Sequence, residues 1–242
     1  MTLATNGEQE HKIHNITLYN EDCLNILPTI PDESIDLVIT DPPYGFKYEL
    51  WRPKRERLCD QPILNDNENY YELLDETLKE CYRIMKDGSA IYIFCGYQKI
   101  EGFVELVKKY FKYKNILVWV KNNWTAGDLY GNYGTKTEYV IYATKGRHIL
   151  NGKRNHNVLE YKRIPPTQAH FKFQKPLDLL KFLIEKSSQE NDLVLDPFMG
   201  SGSTIIAGKL LNRKTIGIEA DPNTYEIALN RIKEEVKQQC IT

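Results

Sequence analysis

The sequence predicts an α/β fold built around a parallel sheet. Short apolar runs alternate with stretches of helical periodicity along most of its length, as strand–helix–strand units require. One such run, Leu193-Val194-Leu195-Asp196, passes straight into a glycine-bearing turn and then into a helical pattern. Strand-like runs lie at 16–19, 35–40, 89–95, 116–121, 138–144, 193–196 and 215–219. Helix-like runs lie at 69–85, 98–110, 176–187, 203–211 and 222–238. Asp87-Gly88 reads as the stop of the first helix, because a glycine accepts the left-handed conformation that closes a last turn. Two long connections remain, at 45–66 and 146–174. Connections of that length in a compact unit usually carry function. The organisation expected is one domain over 1–242 with an inserted segment at 146–174.

Composition excludes several classes. With 242 residues, 41% hydrophobic and 27% charged, the chain is neither disordered nor fibrous. No apolar run approaches the ~18 residues of a membrane span, so no membrane is expected as a partner. The start of the chain is polar, unlike a secretory signal. The cysteines, at 23, 59, 81, 95 and 240, form no C-x-x-C pair and no zinc-spaced cluster with histidine. These features predict free thiols in a reduced, cytoplasmic protein and no metal. The net charge of −1 hides a local excess. Between Lys145 and Lys175 stand eight Lys or Arg and one acid, Glu160, a net +7. Such a stretch attracts phosphate even on a neutral protein, although it also reads as a solvated loop.

Two short strings carry the chemistry. The first is Asp196-Pro197-Phe198-Met199-Gly200-Ser201-Gly202-Ser203-Thr204, at the end of a buried strand. Glycines let a backbone approach a ligand closely, and open α/β sheets bind ligands at the carboxyl ends of their strands. Glu219, ending the next strand, can accept both hydroxyls of a ribose. The third glycine of G-x-G-x-x-G is missing, which counts against a nicotinamide or flavin site.

The second string is Asp41-Pro42-Pro43-Tyr44, after the strand at 35–40. Two prolines fix a turn and donate no hydrogen bond, so its carbonyls face outward as acceptors. With the Asp41 carboxylate they make a two-acceptor site for an exocyclic –NH2. A base amine is a poor nucleophile because its lone pair is conjugated with the ring. Holding its N–H bonds off-plane frees that pair, and the same negative field stabilises the positive charge that develops on nitrogen. Tyr44 offers a face on which a base taken out of the duplex can stack. Read without a ligand, each string is a tight turn, with Asp41 as a cap and Tyr44 as packing.

In this order the two strings resemble the amino methyltransferases of DNA, in their permuted beta group. That family places D-P-P-Y near its start and F-x-G-x-G, here Phe198-Met199-Gly200-Ser201-Gly202, near its end. The resemblance covers 16–237. It extends to the run from Asn20 to Tyr44, to Val118-Trp119-Val120-Lys121-Asn122-Asn123 and to Tyr133-x-x-x-Thr137-Glu138. It implies a circularly permuted, seven-stranded Rossmann-like sheet with S-adenosylmethionine as cofactor. In it the strands before Asp41 and before Gly200 are neighbours, so that the two strings meet at one edge. By the same resemblance Asp22 bonds the cofactor's adenine amine, with the Cys23 backbone nearby. The family's H-P-T-x-K-P string is altered here to Phe171-Lys172-Phe173-Gln174-Lys175-Pro176. His170 is one place early, which leaves Lys175 as the contact to the cofactor's methionine end.

An Asp at the first motif position implies the N6 amine of adenine in double-stranded DNA as the methyl acceptor. The segment 146–174 then falls where the family recognises its target, with Lys153, Arg154, Lys162 and Arg163 on phosphates. Asn151, Asn155, Asn157 or Gln168 could read adenine edges. Lys47 and Arg52, with Lys54, Arg55 and Arg57, stand in the loop after Tyr44 that could close over a flipped nucleotide. Relatives are often dimers and often act beside a cognate restriction endonuclease. Other readings stay open at this point: an N4-cytosine methyltransferase, an enzyme of RNA or of protein amides, and a silent DNA-binding partner. A nucleotide-dependent oxidoreductase is disfavoured by the missing glycine.

Overall fold

The computed structural model describes residues 9–43, 70–124, 130–165, 167, 169 and 174–239. Among the described residues, nine strands form a single sheet: β1 (Gln9–Ile13), β2 (Ile16–Asn20), β3 (Ile35–Thr40), β4 (Met85–Cys95), β5 (Lys112–Val120), β6 (Thr137–Thr144), β7 (Val158–Glu160), β8 (Leu193–Asp196) and β9 (Lys214–Ile218). Their spatial order is β1-β2-β9-β8-β3-β4-β6-β5-β7. All neighbours from β2 to β4 run parallel. β1 and β6 are antiparallel to their neighbours, and β7 runs parallel to β5. Helices α1 (Cys23–Ile26), α2 (Tyr70–Ile84), α3 (Ile100–Tyr110), α4 (Leu177–Ser187), α5 (Ser203–Leu210) and α6 (Pro222–Gln239), with two 3-10 turns at Leu27–Thr29 and Tyr97–Lys99, complete the described elements.

The central strands β3 and β8 are mostly apolar because helices cover both faces. In β3, Leu37 and Ile39 pack with Leu179, Leu180, Leu183 and Ile184 of α4. Val38 points the other way, toward Leu74 and Leu78 of α2 and Phe103 of α3. Each such fully buried side chain contributes about 1.5–3 kcal/mol. A third cluster joins Ile205 and Ile206 of α5 to Tyr225, Ala228 and Ile232 of α6 and to Ile16 and Leu18 of β2. From the sheet's centre, β3–α2–β4 winds one way and β8–α5–β9 the other. The gap between β3 and β8 is therefore a switch point, where open α/β sheets form a crevice.

Two expectations are corrected. The described sheet has nine strands, not seven. The added pair, β1 and β7, are the two edges. An edge strand is held by one neighbour, so neither needs the apolar run that marks a buried strand. β1 is tied to β2 through a hairpin in which His14 takes φ 53°, and β7 is three residues long. The helix before β4 also ends earlier than Asp87-Gly88. α2 stops at Ile84 and Met85 opens β4. The register against β3 then slips from Ile35↔Met85 to Leu37↔Ala90. Gly88, at φ 79°, absorbs that slip, and its N–H donates to the Lys145 carbonyl at 2.8 Å.

Candidate active site

The carboxyl ends of β2, β9, β8 and β3 stand side by side and supply the site. The Glu219 N–H, just past β9, donates to the Tyr19 carbonyl at 3.0 Å. Asn20 Nδ2 donates back to the Glu219 carbonyl at 2.8 Å. The pairing Val38↔Leu195 sets Asp196 beside the last turns of β3, with Asp41 just beyond. Residues 155 positions apart in the chain thus share one edge.

The loop after β8 is braced from both sides. Asp196 is 3% exposed, and its Oδ1 accepts the Phe198 N–H at 3.1 Å. Burial pushes its carboxyl up to about 7, against the opposing effect of hydrogen bonds from Thr204 and Phe198. Glu219 Oε2 accepts the Gly200 N–H at 3.0 Å, and its Oε1 accepts the Asp221 N–H at 2.9 Å. Burial pushes this carboxyl, too, up to about 7. The two glycines do different work. Gly200 has φ 50°, and a Cβ there would meet nothing within 4 Å, so its outer side is open to a ligand. Gly202 has φ 76°, and its Cβ would stand 3.0 Å from Ile232 Cδ1, so it serves the packing of α6. Ser201 and Ser203 are buried, and Arg231 of α6 donates to the Ser201 carbonyl. No local signal marks Arg231, which reaches the loop only through the fold. On β2's side, Asp22 caps α1, its Oδ1 accepting the Leu24 N–H at 2.9 Å. Cys23 is buried and its thiol is pushed up to about 12 by burial, which leaves its backbone as the group that could face a ligand. An open glycine flank beside a carboxylate fits the ribose of S-adenosylmethionine.

At β3 the Asp41 carboxylate is partly exposed and accepts from Lys175 Nζ through Oδ2. Pro42 is buried and Pro43 half-buried. Lys175 precedes α4 and also lies 3.6 Å from Glu138 Oε2. Its ammonium is held above the ordinary lysine range: burial acts to lower it, and the charges of Asp41 and Glu138 outweigh burial. Lys175 thereby joins Asp41 and Glu138 in one cluster of charges. Tyr44, Lys47, Arg52, Lys54, Arg55 and Arg57 lie outside the described residues, as do Gln168, His170 and the run from Phe171 to Phe173.

Residues 35–230 match the DNA methylase family of N6 and N4 amino methyltransferases, most of the chain. This chain belongs to that family. The type II methyltransferase M2.MboI of Moraxella bovis is 31% identical, with 93% of each chain covered. M.HinfI of Haemophilus influenzae is 30% identical over 90% of this chain and 68% of its own. The crystal structure of the M1.HpyAVI–SAM complex superposes with a TM-score of 0.69 at 26% identity, covering 90% of this chain and 98% of that one. The protein is a site-specific DNA methyltransferase, and S-adenosylmethionine is its cofactor.

The methyltransferase's basic segment divides in two. Residues 146–153 lie at the amino edge of the sheet, away from Asp41. His148 Nδ1 is 2.6 Å from the Gly88 carbonyl oxygen, and Lys186 Nζ donates to the Lys153 carbonyl at 2.6 Å. β7 then carries the chain to the carboxyl edge. There the Arg163 N–H donates to Asn122 Oδ1 at 2.9 Å. Lys162 and Arg163 therefore share the edge with Asp41, and Lys153 and Arg154 do not. Two of the expected base readers are committed to the fold. Asn151 Nδ2 donates to the Glu185 and Ser188 carbonyls at 2.8 and 2.9 Å, closing the end of α4. Asn157 Nδ2 donates to the Ile116 carbonyl at 3.0 Å.

The two raised carboxyls predict how the ligand-free methyltransferase responds to pH. A folded-state pKa above the unfolded one contributes stability at low pH that is lost as pH rises through the folded value. For Asp196 and Glu219 that window runs from about pH 4 to about pH 7. Glu138 is lowered, so its contribution is lost only at more acid pH. The melting temperature should fall as pH rises from about 4 to about 7 and level off above that, and Asp196→Asn should flatten that fall. An identical slope in the variant would remove Asp196 from the account.

Proposed function

We propose that this methyltransferase transfers a methyl group to the exocyclic N6 amine of adenine in double-stranded DNA, with the target base turned out of the duplex. The observation that carries this reading is the meeting of Asp41 and the Gly200 loop across the β3–β8 switch point. The acidic first position of Asp41-Pro42-Pro43-Tyr44, as in adenine enzymes of the family, favours adenine over N4 of cytosine. The order of the two strings along the chain supports a place in the permuted beta group.

When bound, the cofactor supplies a methyl group activated by its sulfonium. Glu219 would accept the ribose hydroxyls, Asp22 and the Cys23 backbone would hold the adenine with Phe198 beside it, and the open flank of Gly200 would admit the ligand close to the backbone. Asp41 accepts an N–H of the target amine, and the outward carbonyls of the Pro42-Pro43 turn accept the other. That geometry bends the amine out of conjugation and directs its lone pair away from the protein's acceptors, toward the cofactor side. As positive charge grows on nitrogen, the Asp41 carboxylate stabilises it. Tyr44 stacks on the base. Affiliation with type II relatives extends the proposal to a homodimer and to a cognate restriction endonuclease, in a reduced cytoplasm.

Single-molecule sequencing of DNA from cells expressing the chain tests this directly. N6-methyladenine in a fixed sequence context is expected. N4-methylcytosine would transfer the reading to the cytosine branch, and unmodified DNA would leave a silent DNA-binding partner.

The DNA surface has its own expected result. Lys162 and Arg163 lie four strand spacings from β3, roughly 19 Å at about 4.8 Å each, a reach comparable to the width of a duplex. Lys162→Ala/Arg163→Ala should weaken DNA binding and reduce the log–log salt slope by about 0.9 for each phosphate no longer neutralised. Lys153→Ala/Arg154→Ala should leave both unchanged. The reverse pattern, read by titration at several salt concentrations, would place the DNA on the amino edge.

A further inference from the structure

We propose that Glu138 and Lys121 are positioning residues for Asp41, acting through Lys175. The inference rests on the reading of Asp41 as the acceptor of the target amine. Four charges of alternating sign run from β5 toward the centre of the sheet: Lys121 after β5, Glu138 in β6, Lys175 before α4, and Asp41 after β3. Lys121 Nζ donates to Glu138 Oε1 at 3.0 Å. Glu138 Oε2 lies 3.6 Å from Lys175 Nζ, which donates to Asp41 Oδ2.

Both lysines are enclosed. The Lys175 side chain is 11% exposed and that of Lys121 9%. Lys175 Nζ stands 5.1 Å from the centre of the Phe94 ring, and Lys121 Nζ 5.9 Å from that of Trp119. Trp119 is itself buried and donates from Nε1 to the Tyr161 carbonyl at 2.8 Å. Enclosed ammonium groups persist only when paired, and here two carboxylates share one of them. Burial acts to raise the Glu138 carboxyl, yet Lys175 and Lys121 hold it below the ordinary range, so it remains an anion.

This row of charges sets the geometry at Asp41. With Oδ2 held on Lys175, the plane of the carboxylate is set, and with it the direction in which Asp41 accepts the amine. Glu138 offsets the positive charge of Lys175, so that the negative charge of Asp41 still faces the nitrogen as it becomes positive. Without Glu138, the Lys175 charge falls wholly on Asp41 and opposes that stabilisation. Lys121 fixes Glu138 from the far side and acts on Asp41 only through it.

The test compares single-turnover methyl transfer at saturating cofactor and DNA with S-adenosylmethionine affinity by calorimetry. Glu138→Gln should slow the methyl-transfer step by about 10- to 100-fold, as misplacement of a reacting group does. Its affinity for S-adenosylmethionine should stay within about twofold of the parent's. Glu138→Asp, which keeps the charge, should recover most of the rate. Lys121→Met should slow the parent but add nothing in the Glu138→Gln background, because the two act in one chain. Asp41→Ala is run alongside. A Glu138→Gln enzyme at parental rate beside an inactive Asp41→Ala enzyme overturns this inference alone. An active Asp41→Ala enzyme overturns the reading beneath it. If Glu138→Gln does not fold, Lys121→Met carries the test, and an unchanged rate in that variant overturns the inference. Equal losses of rate and cofactor affinity would reduce the chain of charges to a structural brace and also overturn it.

Discussion

Asp41→Ala is expected to lower methyl transfer by about 100-fold or more, the usual effect of removing a group that stabilises charge developing in a transition state. Cofactor affinity should stay within a few-fold of the parent's, since Asp41 follows β3 while the proposed cofactor loop follows β8. The variant also leaves the Lys175 ammonium with Glu138 as its carboxylate partner, at 3.6 Å. Some loss of stability should follow, because removing one partner of an enclosed ion pair strands the other charge. Asp41→Asn separates these effects. It keeps the shape of the side chain and one carbonyl acceptor but loses the negative charge. Single-turnover kinetics on folded protein should place Asp41→Asn between the parent and Asp41→Ala. Retention of more than about a tenth of parental turnover by Asp41→Ala would end the proposed role.

The second large effect falls on the cofactor. Glu219→Ala removes the acceptor proposed for both ribose hydroxyls and also strips the Gly200 and Asp221 N–H groups of their partner. Hydrogen bonds to a charged group contribute about 1.5–3 kcal/mol, so the dissociation constant for S-adenosylmethionine should rise by about 10-fold or more. Glu219→Gln should lose less, because it can still accept from Gly200. Gly200→Val adds a second measurement. It places a branched side chain on the open flank of the loop and forces a φ of 50° on a residue that disfavours it. Calorimetry on folded variants checks both, and unchanged dissociation constants would move the cofactor away from this loop.

Much of the fold is legible because the centre of the sheet is covered on both faces. β3 and β8 have the bounds expected from the sequence, Ile35–Thr40 and Leu193–Asp196. A strand buried on two sides must be apolar at successive positions, and that run is visible locally. β1 and β7 are hidden in the sequence for the converse reason. Each has one neighbour, β1 is mostly polar and β7 is only three residues long, so only pairing with β2 or β5 makes each a strand. Gly88 resembles a helix stop because its left-handed φ suits a cap and a bulge equally. The register slip of β4 against β3 decides between them.

The site divides along the same line. The residue types in Asp41-Pro42-Pro43-Tyr44 and in Asp196 to Gly202 suffice to predict an amine acceptor and a close-approach loop, since a rigid proline turn and glycine backbones are local properties. Their meeting across β3 and β8, and the bracing of the loop by Glu219 and Arg231, require the sheet. So does the separation of Lys153 and Arg154 from Lys162 and Arg163, which form one basic run in the chain but stand on opposite edges once β7 crosses between them. Which strands are buried, and which chemical groups end them, is written in the residues alone, because apolar runs, prolines and glycines act through their nearest neighbours. Which charges face one another, as with Asp41, Lys175, Glu138 and Lys121, is set by the folded chain, because electrostatic pairing depends on distance in space and on exclusion of water.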